Sequence, residues 1–386
     1  MKGDVARAPV RVVFLISGLE VGGAEAVLLK VLPRFSERVQ AHVISMTTIG
    51  PVGKRLVESG IPVEALGMTK GLSGVSGVVR LVHRLRALKP DLVQTVMYHA
   101  DLVGGLASRF ARVPKLVWWI HNSGAALHAL SPMTRLVLRA CAQLSTTLPD
   151  LILCCAELAR RNHISFGYER SKIEVIPNGF DLRQFSPDHH AFGSVRAELG
   201  IPPTAPIVGL VARLDPQKDH RSFFATASRV HRRLPQVHFL LVGAGLDSGN
   251  EQVRQWVDDE GIGAVTHLLG RRDDVPRIMS ALTILASSSI AEAFPNVIGE
   301  AMACEVPCAV TDAGDSALMV GETGRVFRPS DPDAAAQAWI ELLSLSDDQR
   351  KTLGHAARQR IAERFELSAL IAKQERIYFD LTERAQ

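Results

Sequence analysis

Short, almost wholly apolar runs recur along the chain, separated by longer stretches whose apolar residues return every three or four positions. Uniformly apolar runs suit parallel strands buried on both faces, and the amphipathic stretches suit the helices that cross between them. Read this way, strands fall at residues 10–16, 41–46, 62–66, 92–96, 115–120, 151–155 and 173–176, then at 207–212, 237–242, 265–269, 282–286, 306–311 and 324–327. Helices are expected in most gaps, among them 24–32, 75–88, 220–233, 250–260 and 297–304. Strand and helix in steady alternation define an α/β fold built on parallel sheets.

The alternation pauses between residues 177 and 205, where Pro177-Asn178-Gly179, Ser186-Pro187-Asp188 and Pro202-Pro203 supply turn chemistry. This seam predicts two Rossmann-like, doubly wound domains, residues 1–190 and 191–365. The tail at 366–386 reads as a helix with no strand after it, expected to cross back to the first domain. Ligands of such sheets bind beyond the carboxyl ends of the strands, so two sheets facing across a central cleft would place the chemistry directly after strands.

Composition narrows the picture. Charged residues at 22% and hydrophobic residues at 47% indicate a globular chain, and 5% aromatics argue against a stacking platform for nucleic acid. Five scattered cysteines read as free thiols of a reducing compartment, and Pro307 between Cys304 and Cys308 marks a helix boundary rather than a metal site. No run approaches the ~18 apolar residues of a membrane span, and no secretory segment is visible, so a cytoplasmic chain is expected, at most peripheral on a membrane. Residues 1–190 hold 23 Lys and Arg against 14 Asp and Glu, a net +9, whereas the remainder nets −5. A basic first half points to an anionic partner, a membrane surface or a phosphate-bearing acceptor rather than nucleic acid. Within it, Val75, Val78, Val79, Val82, Leu85 and Leu88 recur at helical spacing beside Arg80, His83, Arg84, Arg86 and Lys89. This is either a helix lying in a lipid interface or one packed on its own sheet with a solvated basic face.

Four segments carry candidate chemistry. Ser17-Gly18-Leu19-Glu20-Val21-Gly22-Gly23-Ala24-Glu25 follows the first strand. Gly22 and Gly23 allow close backbone approach and open a helix whose N–H groups suit an anion, although a tight turn explains them equally well. His121 ends a strand, where an imidazole donates to a hydroxyl or bonds a loop carbonyl. Arg213 and Lys218, above a helix start, suit a diphosphate, or else answer Asp215 and Asp219 on a solvated loop. The strongest signal is Glu292-Ala293-Phe294-Pro295-Asn296-Val297-Ile298-Gly299-Glu300, two glutamates eight apart after a strand and the turn Ser287-Ser288-Ser289. Pro295 fits the first turn of a helix, leaving the N–H groups of Asn296 and Val297 to face a ligand. Two such carboxylates suit hydroxyls of a sugar and of a ribose, or else Glu292 only favours the helix dipole and Glu300 is surface charge.

In this order, Gly22-Gly23-Ala24-Glu25, His121, Ile176-Pro177-Asn178-Gly179-Phe180-Asp181, Arg213 with Lys218, Val242-Gly243-Ala244-Gly245 and Glu292 through Ala303 span nearly the whole chain. The set resembles the retaining family 4 glycosyltransferases of the GT-B fold, above all those that build bacterial surface polysaccharides. The resemblance implies a UDP- or GDP-sugar donor and a glycan or lipid-linked glycan acceptor. It implies that Arg213 and Lys218 bind the donor diphosphate, that Glu292 contacts the donor sugar, and that Glu300 holds the ribose. It further places the backbone after Phe294 and Pro295 on phosphate, Gly22 and Gly23 beside donor and acceptor, His121 by the reacting sugar, and Arg271 beside the base. Two positions depart from the pattern: Ala293 and Glu305 stand where the family usually has glycine. An alanine at 293 implies a changed backbone angle.

No residue in these motifs stands out as a covalent nucleophile, so attack from the face that the phosphate leaves is the expected route to retention, with no cofactor and no metal. The one D-x-D, Asp331-Pro332-Asp333, reads as a helix cap. Two rival readings stay open: a nucleotide-sugar epimerase of similar fold, and a non-catalytic partner subunit that binds donor.

Overall fold

The computed structural model describes residues 8–20, 22–68, 73–124 and 131–383, the side chains of 73–75 excepted. Chain contacts divide it into two units, Met1–Asn178 with Ser368–Gln386, and Gly179–Leu367.

In the first unit the chain runs β1 (Val10–Ile16), α1 (Gly23–Val31), β2 (Val39–Ser45), α2 (Gly50–Glu58), β3 (Val63–Ala65), α3 (Ser73–Leu88), β4 (Leu92–Val96), α4 (Tyr98–Ala111), β5 (Lys115–Ile120), α5 (Pro132–Leu144), β6 (Leu151–Cys154), α6 (Glu157–Ser165) and β7 (Ile173–Val175). The parallel sheet has the order β3-β2-β1-β4-β5-β6-β7. The chain winds outward from β1 to β3, returns, and winds outward the other way from β4. Its switch point lies between β1 and β4, and right-handed crossovers put α1 and α2 on one face and α3, α4 and α5 on the other.

The second unit runs α7 (His189–Leu199), β8 (Ile207–Val211), α8 (His220–Arg233), β9 (His238–Val242), α9 (Glu251–Asp259), β10 (Thr266–Leu268), α10 (Val275–Ala281), β11 (Ile284–Ser287), α11 (Asn296–Ala303), β12 (Cys308–Thr311), α12 (Ser316–Val320), β13 (Gly324–Phe327), α13 (Pro332–Leu343) and α14 (Asp347–Arg364). Its sheet order is β10-β9-β8-β11-β12-β13, with the switch point between β8 and β11. Phe223 and Trp339, 5.0 Å apart, join α8 to α13 in a core that also holds Phe239 and Leu342. Asp331 caps α13 by accepting from Ala334 N at 3.0 Å, with Pro332 in the first turn, as its sequence suggested.

The chain ends on α15 (Leu367–Glu383), which packs on the first unit. The fully buried Tyr378 donates to Gln94 Oε1 of β4 at 2.7 Å, and Phe35 lies edge-on to its ring at 5.9 Å. A buried hydroxyl with a buried amide partner fixes the position of this helix.

The structure divides the chain at residue 178 rather than 190, because the segment after Asn178 is held by the second unit. Phe180 N donates to Phe365 O at 2.8 Å, Leu367 N donates to Phe180 O at 3.0 Å, and Arg358 donates to the carbonyls of Leu182 and Phe185. Strands start later than expected at Val63 and Cys308 because the preceding prolines have no N–H for a ladder. Pro295 is the cap before α11 rather than its first helical residue. On α3, Leu81 and Leu85 are buried, Arg84 pairs with Glu64 at 2.9 Å, and Arg80 donates to Leu66 O. Of the apolar stripe of that helix, Leu85 is buried, Val78, Val82 and Leu88 are half-buried and Val79 is exposed, while the side chain of Val75 lies outside the described residues.

Helix α11 ends in a Schellman motif. Val306 N donates to Ala301 O and Glu305 N to Met302 O, both at 3.0 Å, and Glu305 takes φ +62°. Glycine adopts that angle without the clash that a Cβ makes with the backbone, so glutamate is strained here by about 1–2 kcal/mol. Its carboxylate lies 2.9 Å from Nδ1 of the exposed His355 imidazole, a surface contact that contributes little. Glu305→Gly should therefore raise stability by about 0.5–1 kcal/mol, after the larger chain entropy of an unfolded glycine is deducted. Glu305→Ala, which keeps the strain, should not. Thermal unfolding midpoints of the two variants check this.

Candidate active site

The second unit concentrates its candidate residues at the switch point. The loop after β8 carries Arg213 and Lys218, and the loop after β11, the adjacent strand, carries Glu292. Lys218 Nζ and Glu292 Oε1 form an ion pair, with the side chains 23% and 12% exposed. Ser289 Oγ donates to the same carboxylate oxygen at 2.8 Å. The two loops are bound to each other as well: Ser288 Oγ donates to Lys218 O at 2.7 Å, and Ile290 N to Gln217 O at 2.8 Å. From the end of β12, Thr311 Oγ1 donates to Ser289 O at 2.6 Å. Glu292 thus holds one oxygen fixed by a cation and a hydroxyl, while Oε2 makes no hydrogen bond among the described residues.

Arg213 is not joined to that pair. Its guanidinium, 66% exposed, forks onto Asp215 Oδ2 at 3.1 and 2.8 Å. Burial alone would raise the pKa of Asp215, but the N–H of Gln217 and the arginine together hold it below the usual value. A backbone zipper keeps this loop in place. Leu214 N donates to Ala244 O, Ala212 N to Val242 O, and Gly243 N to Gly270 O. Gly243 has φ +150°, and a Cβ there would collide with the Ala212 carbonyl. The zipper sets the exposed Arg271, directly after Gly270, on the same sheet edge.

Helix α11 begins beside Glu292. Phe294 and Pro295 are buried, while Asn296, Val297 and Glu300 are half-buried. The Phe294 ring stacks on Phe180 at 6.0 Å and meets Phe365 at 5.6 Å. Gly299, one residue before Glu300, has no room for a side chain because a Cβ there would overlap the Phe180 ring. Ala293 O accepts from Asp315 N at 3.1 Å, and Gly314 packs against it at φ +63°. Among described non-glycine residues with positive φ, Ala293 does not appear, so alanine requires no left-handed backbone there.

In the first unit, Gly22 caps α1 in an extended conformation that any residue adopts, and Gly23 opens the helix with free space beside it. Val21, between them and the strand, lies outside the described residues. The loop after β2 and the first turn of α2 brace this turn: Thr47 Oγ1 donates to Ser17 O at 2.8 Å and Val52 N to Leu19 O at 3.1 Å. His121 follows β5, two strands from β1 on the same edge. Its ring lies 4.3 Å from Trp119, and its Nε2 is enclosed without a hydrogen-bond partner among the described residues. Burial lowers its pKa to about 3, so it is neutral.

Sequence reasoning missed Ser289 and Gly314, which fix Glu292, and a buried cluster beneath the loop after β4. There Thr95 Oγ1 donates to Asp101 Oδ1 at 2.5 Å, and burial pushes that carboxyl up to about 7. His163 Nδ1 faces Ala159 O at 2.6 Å, which only accepts, so its Nε2 accepts from Tyr98 OH at 2.8 Å. Each of these reads in the sequence as an ordinary helix or strand residue.

Known proteins resemble this chain in sequence and fold. Residues 21–184 match the family model described as Glycosyltransferase Family 4, and residues 205–345 match Glycosyl transferases group 1. The UDP-Gal:alpha-D-GlcNAc-diphosphoundecaprenol alpha-1,3-galactosyltransferase of Escherichia coli is 26% identical, with 80% of each chain covered. The putative glycosyltransferase EpsF of Bacillus subtilis is 27% identical, over 78% of this chain and 79% of its own. Among solved structures, Anabaena Alr3699/HepE in complex with UDP superposes with a TM-score of 0.85 at 25% identity, over 96% of this chain and 100% of that one. The same protein has also been solved with UDP-glucose.

The packing at Gly299 yields a test. Alanine in a helix interior normally gains about 1 kcal/mol over glycine. Here Gly299→Ala must displace the Phe180 ring and should instead cost roughly 1–3 kcal/mol. Adding Phe180→Leu, which makes room, should lower the penalty of the alanine, as read from a double-mutant cycle on thermal unfolding.

Proposed function

We propose that this chain, which belongs to the family 4 glycosyltransferases of the GT-B fold, is a retaining enzyme that moves a hexose from a UDP-sugar to a lipid-linked glycan acceptor in the assembly of a surface polysaccharide. The observation that carries the proposal is the Lys218–Glu292–Ser289 constellation at the switch point, beside the start of α11. The Escherichia coli relative is named for UDP-Gal and a diphosphoundecaprenol acceptor, and HepE was solved with UDP and with UDP-glucose. Both favour UDP over GDP in this reading. The site of action is the cytoplasmic face of the plasma membrane, where such an acceptor is presented.

In this mechanism the bond between the sugar C1 and the diphosphate oxygen breaks, C1 develops oxocarbenium character, and the acceptor oxygen bonds C1 from the same face. The acceptor proton passes to the departing diphosphate. Lys218 and Arg213 oppose the charge that grows on the diphosphate, helped by the N–H groups at the start of α11. Glu292 aligns the sugar hydroxyls, Glu300 the ribose, and Arg271 borders the base. Gly22 and Gly23 let the backbone approach the phosphates, and neutral His121 donates to the sugar.

Arg213→Ala and Lys218→Ala should each weaken UDP binding by roughly ten- to a hundredfold, the worth of one charge-assisted hydrogen bond. Glu300→Gln should lower UDP affinity, whereas Glu292→Gln should spare it and lower turnover. Calorimetry with UDP, beside turnover with UDP-sugars, separates these outcomes, and equal loss of UDP affinity in both glutamate variants would overturn the division of roles. NMR of the product should show the donor's anomeric configuration; inversion rejects the mechanism. Epimerised nucleotide sugar formed from donor alone would favour an isomerase instead.

With a folded pKa near 3, well below the ~6.5 of a free imidazole, His121 stays neutral above about pH 5. The pH dependence of kcat/KM from about pH 5 to 8 should therefore keep its shape in His121→Gln while its height falls about tenfold, the loss of a hydrogen bond. An inflection that disappears in the variant would mean that His121 titrates as an acid or base.

A further inference from the structure

Helices α3, α4 and α5 lie on one face of the first sheet, with α4 in contact with both neighbours. Residues 73–144 contain nine Lys and Arg and only two carboxylates, Asp91 and Asp101. Neither carboxylate offsets the surface charge, since Asp91 pairs with Arg11 at 3.0 Å and Asp101 is fully buried. Arg109, Arg112, Arg135 and Arg139 are exposed and pair with no carboxylate among the described residues. Large apolar side chains stand exposed on the same three helices: Phe110 at 64%, Met133 at 63%, Leu136 at 60% and Val79 at 52%.

We propose that the outer face of α3, α4 and α5 docks the protein on an anionic lipid bilayer, with these arginines at the headgroups and Phe110, Met133 and Leu136 in the interface. Two features select a bilayer over nucleic acid. Exposed aliphatic side chains gain nothing from a phosphodiester backbone but lose water in a lipid interface. The basic residues are spread across three neighbouring helices rather than along a groove that would track a strand. The docking rests on the lipid-linked acceptor proposed above only for its purpose; the charge and exposure stand without it. Leu81 and Leu85 of α3 are buried, which places the contact on the layer as a whole instead of on one inserted helix.

Co-sedimentation with vesicles of phosphatidylcholine, alone or with an equal part of phosphatidylglycerol, tests this. Binding should require phosphatidylglycerol and weaken as salt rises. Changing Arg109, Arg112, Arg135 and Arg139 together to Gln should reduce partition several-hundredfold, at about fivefold for each basic residue. Phe110→Ser with Leu136→Ser should reduce it about tenfold with little change in the salt dependence. Circular dichroism and transfer to a water-soluble acceptor should be unchanged in all variants. No binding to anionic vesicles at low salt, or full binding by the four-arginine variant, overturns the proposal. So does a loss of duplex DNA binding in that variant with vesicle binding intact. Vesicle binding that follows these variants, in a protein that transfers sugar to no acceptor, supports the docking face and counts against the glycosyl-transfer reading alone.

Discussion

A single steric fit governs the geometry around Glu292 and α11: the Phe180 ring occupies the space that any side chain at residue 299 would need. The chain passes between its two units at residues 178–179 and 367–368, and Phe180 and Phe365 next to these crossings are hydrogen-bonded to each other. Both rings pack on Phe294, two residues after Glu292. The loop that holds Glu292 and the start of α11 therefore shares one apolar cluster with both crossings. Close-packed interiors do not deform continuously, so the loop cannot shift without moving the rings beneath it.

Helix α11 is pinned at its other end by a different device. Arg358 donates to Ala303 O in its last turn and also to Leu182 O and Phe185 O in the crossing segment. A cation at a helix C-terminus opposes the macrodipole and satisfies an orphan carbonyl. Here the same guanidinium links that end to the segment that Phe180 introduces. The strain of Glu305 is tolerated because Ala301, Met302 and Val306 complete the cap around it, and α14 is packed so tightly there that a Cβ at Gly354 would collide with the Glu305 carbonyl.

The strands and the order of motifs were legible because buried parallel strands admit little but apolar residues, and because turn chemistry marks where each sheet edge is left. Arg213, Lys218 and Glu292 lie where that reading placed them, each in a loop that follows a strand. What the sequence did not reveal depends on pairing at a distance. Nothing local distinguishes Gly299 as a glycine without room for a Cβ, since the atoms that exclude it come from Phe180, more than a hundred residues earlier. Residues 179–190 read as the end of the first half because their turn residues are local, whereas their bonds to Phe365 and Arg358 are not. Ala293 and Glu305 look alike as departures from glycine, yet only Glu305 takes a left-handed backbone; the angle is set by the cap, which the residue type alone does not disclose.

The contrast between Lys218 and Arg213 is one of preparation. Two partly buried charges of opposite sign at the switch point hold each other in place, and the cost of desolvating them is met before any ligand arrives. Lys218 and Glu292 are in that state, with Ser289 adding a third fixed group. In the proposed reaction an incoming phosphate and sugar would replace interactions rather than order free side chains, and Glu292 Oε2, which makes no hydrogen bond among the described residues, would take a hydroxyl. Arg213 is exposed and, among the described residues, held by Asp215 alone, so in the proposed function its guanidinium would swing from that carboxylate to a donor phosphate at small cost. A surface ion pair of this kind is worth little by itself. In the proposed function Asp215 would thus park the arginine, and the rigid pair would define where the reacting sugar sits.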